Sequence, residues 1–504
     1  MTNPPTSATM LKSKATEYEE IVDRQSTNNT RFRVLKAFLS SASSSKAKIH
    51  LVRFREKDTP NPINIPEDDL EKHIQKNNDH GIYIVENLSP SVLCLFGGYC
   101  NVDPEFFIDY LDMVLPSAST PKRSKEESLV TEPLPWYRMG DIENHLPPLR
   151  STQQTMEHIH FRFIGPREYH PSKLELRLVP IKIGERLEIA ASTTNIRRIA
   201  GGYHSIHVED QRLWPIAMTR HSAAAWFDRG NQWTKGIILL DPPFRYSQSN
   251  FVRQHSKYRS FRSRSHSEAP PSFDADTRDS YTTSLLHYLQ LNPNVRIRVP
   301  TPIAILQDLY RMIASEWLAV NAYVARDLNA IEWRLERDKP SVSALDFFLD
   351  QLFIMRRRTK KYETLINDHL RPFLPSSWID RAAEHIIKDI EADFLQVQEQ
   401  IRSSNERITQ TVSLITSLIS VVEGKKATTL NQRLAFLTIL ATIALPFNVF
   451  AAIFGMQTEY GPGASRFWVF GEVAGGTAGV VLVCYLGFLV VPGVRERRVR
   501  KGMM

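Results

Sequence analysis

The chain is 504 residues long, with 42% apolar and 23% charged residues, which leaves room for about two to four structural units with real cores. Full disorder is excluded by 25 Phe, 16 Tyr and 8 Trp, and a mean hydropathy of −0.29 excludes a chain made mostly of membrane spans without excluding one or two. The net charge of +8 sits in two short patches: residues 245–264 hold six basic residues and no acid, and residues 495–501 hold five basic residues and Glu496. The rest of the chain is therefore slightly acidic, and this is no footprint of a nucleic-acid partner.

Met1–Lys14 has no apolar core of secretory type, and residues 1–45 are expected to be a disordered polar tail. Three cysteines, Cys94, Cys100 and Cys484, are too few for a disulfide framework and fit a reducing compartment. From Lys48 the pattern turns strand-like, with runs at 49–54, Ile82–Val85 and Val92–Phe96. Asp103-Pro104-Glu105 opens a predicted helix through Met113, since Asp caps well and Pro suits the first helical position.

Residues 114–150 are Pro- and Ser-rich and read as a loop. Further strands are expected at His158–Phe163, Leu174–Ile183, Leu187–Ala191 and Gly236–Asp241, with Gly201-Gly202 as a turn. In Glu157-His158-Ile159-His160 the two histidines share one strand face, but no third ligand is assignable, so a surface strand is expected and no metal-ligand set is named. The Arg/Ser-rich stretch 245–280 reads as a flexible basic insertion.

Helical spacing dominates from Pro302 onwards. Ile387, Ile390, Phe394, Val397 and Ile401 fall at steps of three and four, and the series resumes at Ile408, Val412, Ile415, Ile419 and Val422 with Asn405 at the join. That is a coiled-coil-like seam with one stutter, a natural assembly device. Leu434–Phe454 holds no charge and is long enough to cross the hydrocarbon core at about 1.5 Å per residue. A second such run, Trp468–Val491, holds only Glu472, and in it Gly471, Gly475 and Gly479 recur every four residues, a helix-packing stripe.

Basic residues flank this hairpin on the outside of both runs, which places both termini in the cytosol. The fold class expected is an α+β membrane protein. A cytosolic mixed α/β domain covers 46–300 and a cytosolic helical region 301–377. A stalk helix over 378–433 runs into the first transmembrane helix, 434–454. An outer loop at 455–467, a second transmembrane helix at 468–491 and a basic cytosolic tail at 492–504 complete the chain. The plasma membrane is expected in preference to an organelle. A polar and small face on the first span includes Asn431, Leu434, Ala441, Leu445 and Asn448. An amide in hydrocarbon must face protein or water, and two spans cannot enclose a pore, so an oligomer with that span innermost is implied.

The string Asn431…Thr442…Pro446…Gly455-Met456-Gln457-Thr458-Glu459-Tyr460-Gly461-Pro462, set between two spans and before a basic tail, resembles the CorA superfamily of divalent-cation channels. The chain looks like a divergent, fungal-type member with Gly-Met-Gln in place of Gly-Met-Asn. The resemblance covers about residues 378–501. It implies a homopentamer in the bilayer that passes a divalent cation, Mg2+, with no ATP, no cofactor, no enzymatic step and no nucleic acid. It places Asn431, Leu434, Leu437, Ala441, Leu445 and Asn448 along the pore and Gly455, Met456, Gln457 and Glu459 at the outer entrance. Gln457 departs from the family pattern, and it motivates a second reading: a non-conducting, membrane-anchored scaffold or regulator.

Overall fold

The computed structural model describes residues 13–41, 45–54, 60–76, 80–111, 149–170, 186–189, 195, 198–204, 216–229, 232–242, 251–254, 280–295, 300–337, 341–370, 374–381, 383–456 and parts of 463–483. Two units follow one another, Met1–Val412 and Ser413–Met504. The first is built on a sheet with nine strands among the described residues: β1 (Lys48–Arg53), β2 (Asn61–Ile65), β3 (Gly81–Glu86), β4 (His158–His170), β5 (Arg186–Ile189), β6 (Arg198–His204), β7 (Ile216–Phe227), β8 (Lys235–Leu240) and β9 (Phe251–Gln254). Their order is β2-β1-β3-β8-β7-β4-β9, with β6 on β7 and β5 on β6. Only the central pair β3 and β8 is parallel among these pairings.

Period-two alternation sends neighbouring side chains into two separate cores. Ile82, Ile84, Phe161, Phe163, Ala223, Ala225, Ile238 and Leu240 enter one core. Tyr83, Val85, Ala224, Trp226, Ile237 and Leu239 enter the other. Strands β3 and β8 are thus buried on both faces, as their near-continuous apolar runs require.

The second core is roofed by α1 (Lys14–Asn28), α2 (Thr30–Leu39), α3 (Leu70–Lys76), α4 (Pro90–Cys100) and α5 (Pro104–Leu111). Over 14–39 the expected disordered tail is instead two packed helices. Ser13 caps α1 and Asn29 caps α2, and Tyr18, Val22, Phe32, Leu35 and Phe38 are buried. Their apolar stripe is narrow in a polar sequence, so composition hides it. The expected strand at Val92–Phe96 is also helix. Ser89 accepts from the Val92 amide, Pro90 stands at the first turn, and Asn101 closes α4 in the left-handed region. In α5 the expected start holds: Asp103 Oδ1 accepts from the Glu105 amide at 2.9 Å.

Gly201 and Gly202 lie inside β6 and not in a turn; the register to β7 shifts between Gly201 and Tyr203, a bulge of the kind strand glycines mark. The expected basic insertion contains β9, which pairs with β4. A short helix α6 (Arg150–Thr155) precedes β4. The expected strand at Leu174–Ile183, and the expected loop as far as residue 148, lie outside the described residues.

The first core is covered by α7 (Tyr281–Leu291), α8 (Pro302–Arg337), α9 (Val342–Asn367) and α10 (Glu384–Met456). Trp378, expected inside the stalk helix, sits in a 3-10 turn before α10. The seam residues Ile387, Ile390, Phe394, Val397 and Ile401 are buried in this same core. Polar groups beside them bond to α8 and α9: Asn321 Nδ2 donates to Gln400 at 3.1 Å, Ser404 to Asn321 at 2.9 Å and Thr359 to Asn405. Arg407 pairs with Glu332 at 2.6 Å. Over 384–411 the seam is therefore spent within one chain, which corrects its reading as a device for joining copies.

Candidate functional site

Among the described residues, two places are candidates for functional chemistry. One is the charge-free part of α10 in the second unit. Asn431, Leu434, Leu437, Ala441, Leu445 and Asn448 all lie on α10, and all six side chains are exposed; Leu445 is 65% exposed. The hydroxyls of Thr438 and Thr442 donate to the carbonyls of Leu434 and Thr438 at 2.9 and 2.8 Å, so neither needs a partner off the helix. Pro446 is inside the helix and cannot donate to the carbonyl one turn earlier. Among the described residues, no helix is long and apolar enough to cross a membrane.

Gly455 and Met456 end α10, while Gln457 and Glu459 lie outside the described residues. Gly471, Gly475 and Gly479 are helical and exposed, and among the described residues nothing stands within 4 Å of a Cβ built on any of them.

The other place is where α5 crosses β4. Alternation along β4 turns Ile159, Phe161 and Phe163 into the first core, so His158 and His160 face the opposite side, against α5. Instead of the expected surface strand, His158 is 7% exposed. The imidazole rings lie 5.2 Å apart, and the Phe106 ring lies 5.7 Å from each. Asp109, one turn beyond Phe106 on α5, brings Oδ2 to 3.8 Å from His160 Nε2. Its other oxygen, Oδ1, accepts from Arg31 at 2.6 Å. Ligand atoms of Asp109, His158 and His160 all lie within 4.8 Å of one another.

Burial lowers the pKa of His158, partly offset by the carboxylates of Asp109 and Asp103. Burial holds His160 well below the ordinary imidazole value, helped by His158, Arg162 and Arg31. Both rings are therefore neutral near pH 7 and keep lone pairs for a ligand. The third member escaped the sequence because Asp109 lies on another element; only the packing of α5 on β4 brings it there. Cys94 and Cys100, both on α4, are free thiols that burial pushes up to about 12, far from reactive.

A comparison with curated proteins finds no match. Among solved structures, the full-length CmaX protein aligns over 88% of this chain and 98% of its own, at 14% identity and a TM-score of 0.39. The CorA magnesium transporter from Methanocaldococcus jannaschii aligns over 87% and 96%, at 10% identity and a TM-score of 0.39. The family model described as CorA-like Mg2+ transporter protein matches residues 277–491. Helices α7 to α10 and both charge-free runs are thus similar to a CorA-like Mg2+ transporter domain, whereas the Asp109–His158–His160 cluster stands outside the matched stretch.

Proposed function

We propose that the chain is a CorA-type channel that passes Mg2+ down its electrochemical gradient through a ring of five copies. One observation carries the reading: the match to the CorA-like Mg2+ transporter family takes in 277–491, and with it Leu434–Phe454, Gly455-Met456-Gln457 and Trp468–Val491. In this reading the two charge-free runs cross the plasma membrane, with both termini in the cytosol. The first run lines the pore through Asn431, Leu434, Leu437, Ala441, Leu445 and Asn448. Rings of Leu437 and Leu445 would gate by dewetting, and the Asn448 amides would touch water or the hydrated ion. Gly471, Gly475 and Gly479 would let the second run pack closely on the first.

Mg2+ sheds water reluctantly, so the entrance would hold the ion by its hydration shell. Gln457 offers the same amide oxygen as Asn on a stem one methylene longer, and Glu459 adds a negative charge. The longer stem at Gln457 favours a second reading, a non-conducting scaffold of the same architecture. Reconstituting the full-length protein in liposomes loaded with a Mg2+-sensitive dye separates the two. Flux through the native protein supports the channel, and flux only in Gln457→Asn supports a dormant or altered pore. No flux in either form defeats conduction.

A further inference from the structure

We propose that Asp109, His158 and His160 form a three-ligand site for a first-row transition-metal dication of the Zn2+ class. Two imidazole nitrogens and one carboxylate oxygen are the donor set such ions take, with water completing a tetrahedron. In a tetrahedral zinc site with bonds of about 2.0–2.1 Å, ligand atoms stand about 3.3 Å apart. The gap of 3.8 Å between Asp109 Oδ2 and His160 Nε2 closes with a shift of about half an ångström. Nε2 of His158 and both ring nitrogens of His160 are buried and accept or donate no hydrogen bond. Buried polar atoms are normally satisfied, and three orphaned ring nitrogens on two converging histidines, with a carboxylate oxygen beside them, are what a cation site presents.

The surroundings suit a cation. Arg31 occupies only Oδ1 of Asp109 and also pairs with Glu105 at 2.8 Å, leaving Oδ2 facing the imidazoles. Phe106 walls the rings, and the Asp109 and His160 side chains remain 18% and 13% exposed, which leaves a way in. Mg2+ is the wrong occupant, because it prefers an all-oxygen octahedron and keeps its waters. The site therefore answers to a different ion from the proposed cargo, and it does not depend on conduction.

The test uses full-length protein in detergent, stripped with a chelator and titrated with Zn2+ alone. The wild type is expected to bind one more Zn2+ per chain than His158→Gln/His160→Gln, and to gain melting temperature that the variant does not. Millimolar Mg2+ should leave that binding in place. Asp109→Asn keeps the size of the side chain and an acceptor for Arg31; it should melt near the wild type without metal yet bind Zn2+ more than about tenfold more weakly, beyond the low end of what losing a supporting partner costs. Asp109→Asn also decides the matter if the histidine variant fails to fold. Equal Zn2+ stoichiometry and affinity in the wild type and Asp109→Asn, or displacement by Mg2+, would overturn the site.

Discussion

His369 shows what burial does to a single titratable group. It is 2% exposed, with its ring 5.8 Å from Phe161 and 5.3 Å from Phe394. Burial pushes the imidazole down to about 4, against a smaller opposing effect from the Asp368 backbone. In the unfolded chain it titrates near 6.5. As pH falls below that value the unfolded chain takes up the proton first, so the fold loses stability from pH 6.5 down to about 4. The loss attributable to this ring is on the order of 2 kcal/mol at pH 5. The urea midpoint, followed by tryptophan fluorescence at pH 7.5 and 5.0, is expected to drop further in the wild type than in His369→Leu. Equal drops would show that the ring is not held neutral. Nothing in the sequence around His369 marks it, because the rings around it come from β4 and α10. The pair His158-Ile159-His160 was visible by spacing alone, but its burial and Asp109 were not.

Elements were legible where local chemistry is punctuated and obscure where an apolar run is short. Asp103-Pro104 fixes the start of α5, Pro242 follows the buried run of β8, and Pro302 opens α8. The five residues Val92–Phe96 are apolar without a visible period, and strand and helix cannot be told apart over so short a run; the Ser89-Pro90 cap was the better signal. Helix α1 was hidden by its polarity, and its docking depends on a glycine in a different helix. A Cβ at Gly98 of α4 would stand 2.4 Å from the Lys14 carbonyl oxygen, a backbone atom that cannot rotate aside. Gly98→Ala should therefore displace α1 and cost roughly 1–3 kcal/mol, as overpacking does. Lowered melting together with faster tryptic cleavage at Arg24 is the expected result. An unchanged cleavage rate would mean that α1 is not held against α4.

At the scale of the whole molecule, the question is where copies of the chain can meet. A repeat of buried apolar residues at steps of three and four is readable from sequence, but it does not say whose surface it meets. Here Phe394 meets Tyr310 with ring centroids 6.0 Å apart, and Asn405, at the stutter, accepts from Thr359 of α9. In the proposed ring, copies would meet on surfaces other than the seam over 384–411, and among the described residues Leu434, Phe436, Leu437, Leu440, Leu445 and Val449 are large, apolar and exposed. The two possibilities part company at Asn405. In an intermolecular seam a lone polar residue sets register and copy number, so Asn405→Ala would change the mass of the particle. In an intramolecular one the substitution only removes a hydrogen bond, costing about 1 kcal/mol of chain stability. Native mass spectrometry of the detergent-solubilised protein is expected to give the same multiple of 57.8 kDa for wild type and Asn405→Ala, alongside a lower melting temperature for the variant. A changed multiple would return the seam to the interface between copies and would mean that the packing of α10 on α8 and α9 is exchanged on assembly.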